Sequence, residues 1–568
     1  MKRNTLGFIP LILWFSCLIF SACSPVKEKS STSAKKPNIL LIVADDAGYS
    51  DVSCYGGEIP TPNIDGLAKE GLQLTDFHVA PNCAPTRSAL LSGMDNHLAG
   101  LGTMYEVITE NQKGQPGYEG YLNFNVVSLA EVLQQSGYNT YMTGKWHLGA
   151  KKQEIRPHSK GFDRTFSMLA GGASHWQDNT PLIPGKASPY AVNGEVIESL
   201  PDGFYSSKNY ADSIISFIGS DLGDDKPFFA YLSFTAPHNP LHAPLEFIEK
   251  YKGKYNGGWE ELAATRLQNM KELNLIPVDQ EPYGYPEWLE KWDNLPEEQK
   301  ALRAKDMEVY AAMIDYMDMS IGRVIEYLKN TDQYDNTMIV FISDNGASKT
   351  TIMDYASLGG EVASYLKSFD NSLENKGLPH SATDIGPAWA WAANTPFRLT
   401  KGYPTEGGMR VPCVIKMPHS LQVAPKKVAG FAYVSDLMPT FLDLAQAEHP
   451  ATYKGHNVLP MQGISLLTDI SSNSQKLEDR EFGFEIYGML TYRSGPWKIN
   501  KLPLPYGTGK WQLYNLKNDL SEQVDLADNN PEILNELINK YTIYAEQNGI
   551  VIPDRPIGYS KPPKENSY

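Results

Sequence analysis

Three short apolar runs, each broken off by polar residues, organise this chain. Ile39-Leu40-Leu41-Ile42-Val43 ends at Asp45-Asp46, Phe228-Phe229-Ala230-Tyr231-Leu232 leads to Pro237-His238, and Met338-Ile339-Val340-Phe341-Ile342 ends at Asp344-Asn345-Gly346. Continuous apolar runs of this length read as strands buried on both faces, with carboxyl ends that open onto a site. The stretches between them keep a helical period. Ser128 and Glu131 stand at capping-box spacing beside Val132-Leu133, with Gly137 as the stop. Between residues 306 and 328, Met313, Ile314, Met317, Ile321 and Ile325 recur on one helical face. Strands alternating with helices predict an α/β fold with a largely parallel sheet.

The pattern changes toward the end. Residues 491–499 and 511–516 read as strands joined by turns, and a helix is predicted over 531–547. A boundary near residue 465 separates this tail from the α/β body. Two long polar and aromatic segments, 245–300 and 350–395, read as insertions that build pocket walls.

The N-terminus reads as an export signal. Lys2 and Arg3 precede an apolar stretch, Leu6 to Phe20, too short to span a bilayer comfortably. Phe20-Ser21-Ala22-Cys23 resembles a bacterial lipobox with Cys23 as the lipidated residue; ordinary cleavage with Cys23 a bystander is the other reading. The expectation is a lipoprotein signal peptide over 1–22 and a flexible Ser- and Lys-rich tether over 23–36. The product is then an exported bacterial lipoprotein of the periplasm or outer membrane, touching the membrane only through its lipid.

Charge and cysteines narrow the classes. The 66 Asp and Glu against 50 Lys and Arg leave a net charge of −16, which argues against broad nucleic-acid binding. A locally basic pocket for an anion is still allowed. Of five cysteines, Cys17 leaves with the signal and Cys23 carries lipid, so Cys54, Cys83 and Cys413 make no disulfide scaffold. Whether Cys54 and Cys413 pair is open at this level.

Five polar groups carry candidate chemistry. In Cys83-Ala84-Pro85-Thr86-Arg87 a cysteine precedes a proline suited to a helix start, where the helix end lowers a thiol pKa. A buried structural cysteine is the plainer alternative. Asp45 and Asp46 at a strand end repel each other unless a cation or solvent compensates, and Asp344-Asn345 supply a second pair of oxygens. An all-oxygen set favours Ca2+ or Mg2+ over Zn2+. In Thr143-Gly144-Lys145-Trp146-His147-Leu148-Gly149, an extended chain points Lys145 and His147 to one side. His238 follows a strand, with His242 a competitor. Lys401 lies in Phe397-Arg398-Leu399-Thr400-Lys401-Gly402, where Arg398 is a second cation.

Residues 83–87 carry the Cys-x-Pro-x-Arg pattern of type I sulfatases, and residues 137–149 resemble the second signature of that family. The Asp-Asp and Asp-Asn pairs, His238, and residues 397–412 follow in family order, so the resemblance spans most of residues 37–525. Ser92-Gly93 departs mildly from the family's Thr-Gly. The chain is similar to bacterial arylsulfatases of broad substrate range in the alkaline phosphatase-like superfamily. That resemblance implies a large mixed, mostly parallel sheet flanked by helices over 37–465, with a smaller C-terminal antiparallel sheet plus helix over 466–568. It also implies that a formylglycine maturation enzyme oxidises Cys83 to formylglycine. Residue 83, Asp45, Asp46, Asp344 and Asn345 would hold Ca2+, with Mg2+ open. Arg87 would brace the formylglycine, and Lys145 and Lys401 would hold the sulfate. His238 would protonate the leaving alcohol, and His147 would take a proton from the second formylglycine hydroxyl.

The expected reaction is hydrolysis of a sulfate monoester, on a sulfated small molecule or glycan, to alcohol and inorganic sulfate. One rival is a phosphate or phosphonate monoester hydrolase of the same superfamily, separable by parallel rates on paired esters. Another is a non-catalytic sulfated-glycan-binding lipoprotein, which predicts an unconverted Cys83. The tryptophans of Gly171-Gly172-Ala173-Ser174-His175-Trp176 and Trp389-Ala390-Trp391 either line the pocket or pack loops.

Overall fold

The computed structural model describes residues 35–471, 477 and 479–561. The signal peptide and lipobox, with Cys17 and Cys23, lie outside the described residues, as does most of the tether.

Ten strands form the main sheet: β1 (Asn38–Ala44), β2 (Leu72–Leu74), β3 (Asn139–Lys145), β4 (Arg164–Met168), β5 (Tyr190–Val192), β6 (Glu195–Ile197), β7 (Phe228–Ser233), β8 (Thr337–Ser343), β9 (Cys413–Lys416) and β10 (Lys426–Val428). They lie in the order β10-β2-β9-β8-β1-β7-β3-β4-β5-β6. The central run β8-β1-β7-β3-β4 is parallel, and pairing turns antiparallel at β8–β9 and β4–β5. All three apolar runs are therefore adjacent central strands, with Leu41 between Tyr231 and Val340 in register.

Alternation along β1 divides the core into two layers. Leu40, Ile42 and Ala44 pack on one face and Ile39, Leu41 and Val43 on the other. Five helices matter for the site: α1 (Cys83–Ser92), α2 (Leu129–Gln135), α3 (Glu297–Asn330), α4 (Leu437–Ala445) and α5 (Pro531–Gln547). Helix α3 covers the first face with Met313, Met317 and Ile321, while α1 and α4 cover the second through Leu90, Leu91, Leu437 and Phe441. The helix predicted over 306–328 is the inner part of α3, which begins after Pro296 with Glu297 and Glu298 favourably placed in its first turn. The predicted capping box closes α2 reciprocally through Ser128 and Glu131.

Past residue 480 the chain forms a second sheet of antiparallel strands, β11 (Glu481–Ile486), β12 (Met489–Ser494), β13 (Trp497–Lys501) and β14 (Trp511–Asn515). The tract read over 491–499 is a hairpin turning at Gly495-Pro496. Tyr492, Ile499 and Leu513 pack on Leu537 and Tyr541 of α5, whereas Phe484, Ile486 and Met489 belong to the core of the main body. Among the described residues no helix is long and apolar enough to cross a membrane.

Candidate active site

Four parallel strands deliver their carboxyl ends to one place. β1 ends at Asp45-Asp46, β8 at Asp344-Asn345, β3 at Lys145, and β7 runs on through Thr235 to His238. The charges pair across the gap. Lys145 Nζ donates to both oxygens of Asp45, at 2.8 and 2.7 Å, and Lys401 Nζ donates to Asp46 Oδ1 at 2.6 Å. Arg87 Nη2 and Nε donate to Asp344 Oδ2 at 2.6 and 3.0 Å. The other arm of that guanidinium reaches the Lys145 carbonyl and the Ser233 hydroxyl, tying α1 to β3 and β7. Arg87 is a buried brace, not a surface helix arginine.

The arrangement leaves buried acceptors unmet. Asn345 Nδ2 donates to Asp46 Oδ1 at 2.6 Å, which turns its own Oδ1 away, and neither Asn345 Oδ1 nor Asp46 Oδ2 has a hydrogen-bond partner. Burial drives the Asp45 carboxyl up to about 7 despite Lys145, and the neighbouring Asp344 and Asp46 add to the rise. At Asp46 burial is outweighed by Lys401 and His238, which hold it at about 2. Orphaned buried oxygens among crowded carboxylates fit a hard divalent cation. Asp45, Asp46, Asp344 and Asn345 are the residues to hold it, with residue 83 alongside, since Cys83 Sγ lies 3.6 Å from Asp45 Oδ1.

Cys83 opens α1. Asn82 caps the helix by accepting from the Cys83 amide at 2.9 Å, and Asn82 Nδ2 donates to the Tyr487 hydroxyl at 2.7 Å. A helix end alone would acidify the thiol. Burial instead pushes it up to about 12, against the pull of Lys145 and Lys401. An unmodified Cys83 is therefore a protonated and weak nucleophile near neutral pH.

The histidines flank a pair of glycines. A methyl group on Gly171 would stand 2.7 Å from His147 Cε1, and one on Gly172 would stand 3.2 Å from His238 Cε1. Only the bare backbone lets both rings approach. The chain leaves β3 at Lys145 and turns left-handed at His147 (φ 57°), so the extended geometry expected for Lys145-Trp146-His147 does not hold. His147 packs against Gly171, its Nε2 3.7 Å from Glu106 Oε1, with neither buried ring nitrogen in a hydrogen bond. Burial lowers its pKa more than Glu106 restores it. His238 Nδ1 donates to the Asn239 carbonyl at 2.6 Å, leaving Nε2 3.7 Å from Asp46 Oδ2. Burial holds this ring neutral, with its pKa down to about 3.

The structure settles the competing residues. Arg398 donates to the Tyr514 hydroxyl and the Tyr506 carbonyl, so Lys401 is the cation of the cluster. His242 is a scaffold residue, bonded to the His175 amide and the Ser381 carbonyl. Trp389 packs edge-on against Trp259 and Tyr255, and Trp391 against Tyr285, so both pack loops. Cys54 and Cys413 are unpaired. Sequence reasoning missed Asn82, Glu106 and Tyr487, and also His175, whose Nε2 donates to the His238 carbonyl at 3.0 Å.

Three carboxylates and Lys145 at the ends of parallel strands, with Arg87 of α1 and Lys401 from a turn, make a centre suited to hydrolysing an oxyanionic ester. The sulfatase family model matches residues 37–447, and the chain belongs to that family. It is 43% identical over 552 residues to an uncharacterized sulfatase of Schizosaccharomyces pombe, covering 94% of this chain and 98% of the yeast protein. It is 39% identical over 435 residues to an arylsulfatase of Klebsiella aerogenes, covering 76% and 91% of the two chains. The crystal structure of Ps i-CgsB in complex with k-i-k-neocarrahexaose superposes with a TM-score of 0.64 at 25% identity, covering 90% of this chain and 93% of that one. The protein is a sulfuric ester hydrolase.

Proposed function

We propose that this protein hydrolyses aryl or carbohydrate sulfate monoesters with Cys83 matured to formylglycine and a divalent cation, Ca2+ or else Mg2+, at the four-residue oxygen cluster. The observation that carries the reading is the pair of orphaned buried oxygens, Asp46 Oδ2 and Asn345 Oδ1, beside Lys145, Lys401 and residue 83. A bound cation would supply Lewis-acid stabilisation of sulfuryl oxygen charge. A formylglycine hydrate would supply one hydroxyl as nucleophile and a second whose deprotonation expels sulfate.

The remaining work falls to side chains already in place. Lys145 and Lys401 hold non-bridging oxygens, Arg87 keeps Asp344 and the start of α1 fixed, and Asn82 orients residue 83. His147, neutral and unpartnered, accepts the proton of the second hydroxyl. His238 is neutral at rest, so it gains a proton as the anionic ester enters, because a nearby anion favours imidazolium, and passes it to the leaving oxygen. The same reading makes the protein an exported lipoprotein anchored through Cys23, matured by a separate formylglycine-generating enzyme.

Peptide mass spectrometry across residue 83 of protein from its native host, paired with sulfate release from 4-nitrophenyl sulfate, tests it. The expected result is the lighter formylglycine peptide and released sulfate. A wholly unmodified Cys83 in an active preparation would end this reading. Faster turnover of the matched phosphate ester would favour the phosphatase alternative.

A further inference from the structure

Lys349, four residues beyond Asn345, is a mostly buried lysine in an unusual setting. Its Nζ lies 4.3 Å from the ring centre of Tyr506, 5.0 Å from Tyr403, and 5.8 Å from both Trp288 and Tyr559. Its ammonium donates once, to the Tyr506 hydroxyl at 2.8 Å. The other buried lysines of the site and its surroundings rest on carboxylates: Lys145 on Asp45, Lys401 on Asp46, Lys498 on Glu406. Asp354 is the carboxylate that acts on the Lys349 charge, and it offsets the burial only in part. Aromatic faces attract a cation but do not neutralise it, so the desolvation of this charge is only partly offset. Burial accordingly draws its pKa down to about 7.

The box is tied to the active site through Tyr559. Ser348 and Thr350, on either side of the lysine, bond the Tyr559 hydroxyl at 3.1 and 2.6 Å and line a small cavity with Asp46 and Asn239, while Lys349 between them turns to the aromatic rings. The Tyr559 ring in turn packs flat on Gly402, where a methyl group would stand 2.1 Å from it, one residue past Lys401. A cation with uncommitted donors, next to a pocket for one sulfate, is placed to meet a second negative group on the same molecule.

We propose that Lys349 and its aromatic box form a subsite for a second oxyacid anion, a carboxylate or another sulfate, on the alcohol part of the substrate. The inference rests on the sulfatase reading above and narrows its substrates to dianionic esters. Arg398 is held by Tyr514 and Tyr506 of the C-terminal region through both terminal nitrogens, with only Nε left over.

Calorimetric titration with non-hydrolysable sulfonates tests the subsite independently of turnover. Benzenesulfonate, the 1,3- and 1,4-benzenedisulfonates and 3-sulfobenzoate are titrated into the wild type, Lys349→Met, Lys349→Gln and Lys349→Arg. The expected result is about tenfold tighter binding of a dianion than of benzenesulfonate, lost in the Met and Gln variants and kept by Arg. Preference for disulfonate assigns a second sulfate, and preference for sulfobenzoate a carboxylate. Equal affinities in the wild type, or a preference that survives in both neutral variants, overturns the proposal. Sulfate release from 4-nitrophenyl sulfate by the matured wild type reports separately on the underlying reading.

Discussion

Two buried ionic clusters in this protein have nearly the same composition and opposite states. At the strand ends, three carboxylates meet Lys145, Lys401 and Arg87. Beneath the second sheet, Asp76, Glu406 and Glu522 meet Arg493, Arg410, Lys498 and His78. Both offer three or more metal-ligating side chains within reach of one another. In the second cluster the demands are met: Arg493 bonds Asp76 at 2.8 Å, Lys498 bonds Glu406 at 2.8 Å and Glu522 at 3.0 Å, and His78 bonds Glu406 at 2.9 Å. None of its charged atoms is orphaned, although Asn500 Oδ1 beside Glu522 is, whereas the first cluster leaves a carboxylate oxygen, Asp46 Oδ2, without a hydrogen-bond partner together with Asn345 Oδ1. Buried charge is common to structure and chemistry; unmet demand separates them.

The comparison breaks first at residue 83. On the proposed reading, Cys83→Ala is expected to lower sulfate release by at least ~10⁴-fold with an unchanged circular dichroism spectrum, because it removes the nucleophile. Activity within tenfold of wild type would remove residue 83 from the chemistry. In the satisfied cluster, Arg493→Met removes the nearest cation of Asp76, leaving Arg410 at 3.5 Å, and is expected to destabilise the fold by about 3 kcal/mol in denaturant unfolding. Its kcat below the melting range should stay within about twofold; a selective loss of kcat at full stability would make that cluster functional. Lys401→Met is expected to reduce kcat/KM by ~10²–10³-fold, with partial recovery in Lys401→Arg.

The smallest effect concerns pH. His97 bridges Asp95 and Glu485 of β11 at 2.8 and 3.2 Å. Burial disfavours its charge, but the two carboxylates win and raise its pKa from 6.5 to about 9. A raised histidine pKa adds stability that is complete below 6.5 and fades as pH rises through 9. His97→Gln should therefore cost on the order of 3 kcal/mol at pH 6 and progressively less from about pH 6.5 up to pH 9. A pH-independent difference between wild type and variant would contradict that assignment.

The strong local patterns were legible. The runs at 39, 228 and 338 lie within β1, β7 and β8, and the predicted helix over 531–547 is α5. Short strands such as β2, β9 and β10, three or four residues each, fall below what periodicity resolves. Asp45, Asp344 and Lys145 were legible because each stands at the end of a strong strand, whereas Lys401 lies in a turn and was placed only by the family resemblance. Asn82 carries local capping chemistry, but its partner Tyr487 lies 405 residues away, a contact no window reaches. His147 misled because alternation holds only while the chain is extended, and β3 stops two residues earlier.

The shielding of Cys83 has a consequence in time. Its thiol is 2% exposed, and the helix that carries it is capped by Asn82, which rests on Tyr487; Tyr487 in turn stacks on Tyr559 with ring centres 6.1 Å apart. A chain made from its N-terminus produces the cysteine nearly five hundred residues before that last ring. If Cys83 is rewritten as proposed, the modifying enzyme meets an open strand early in synthesis and a sealed one after folding, so the order of manufacture would set the interval for that step.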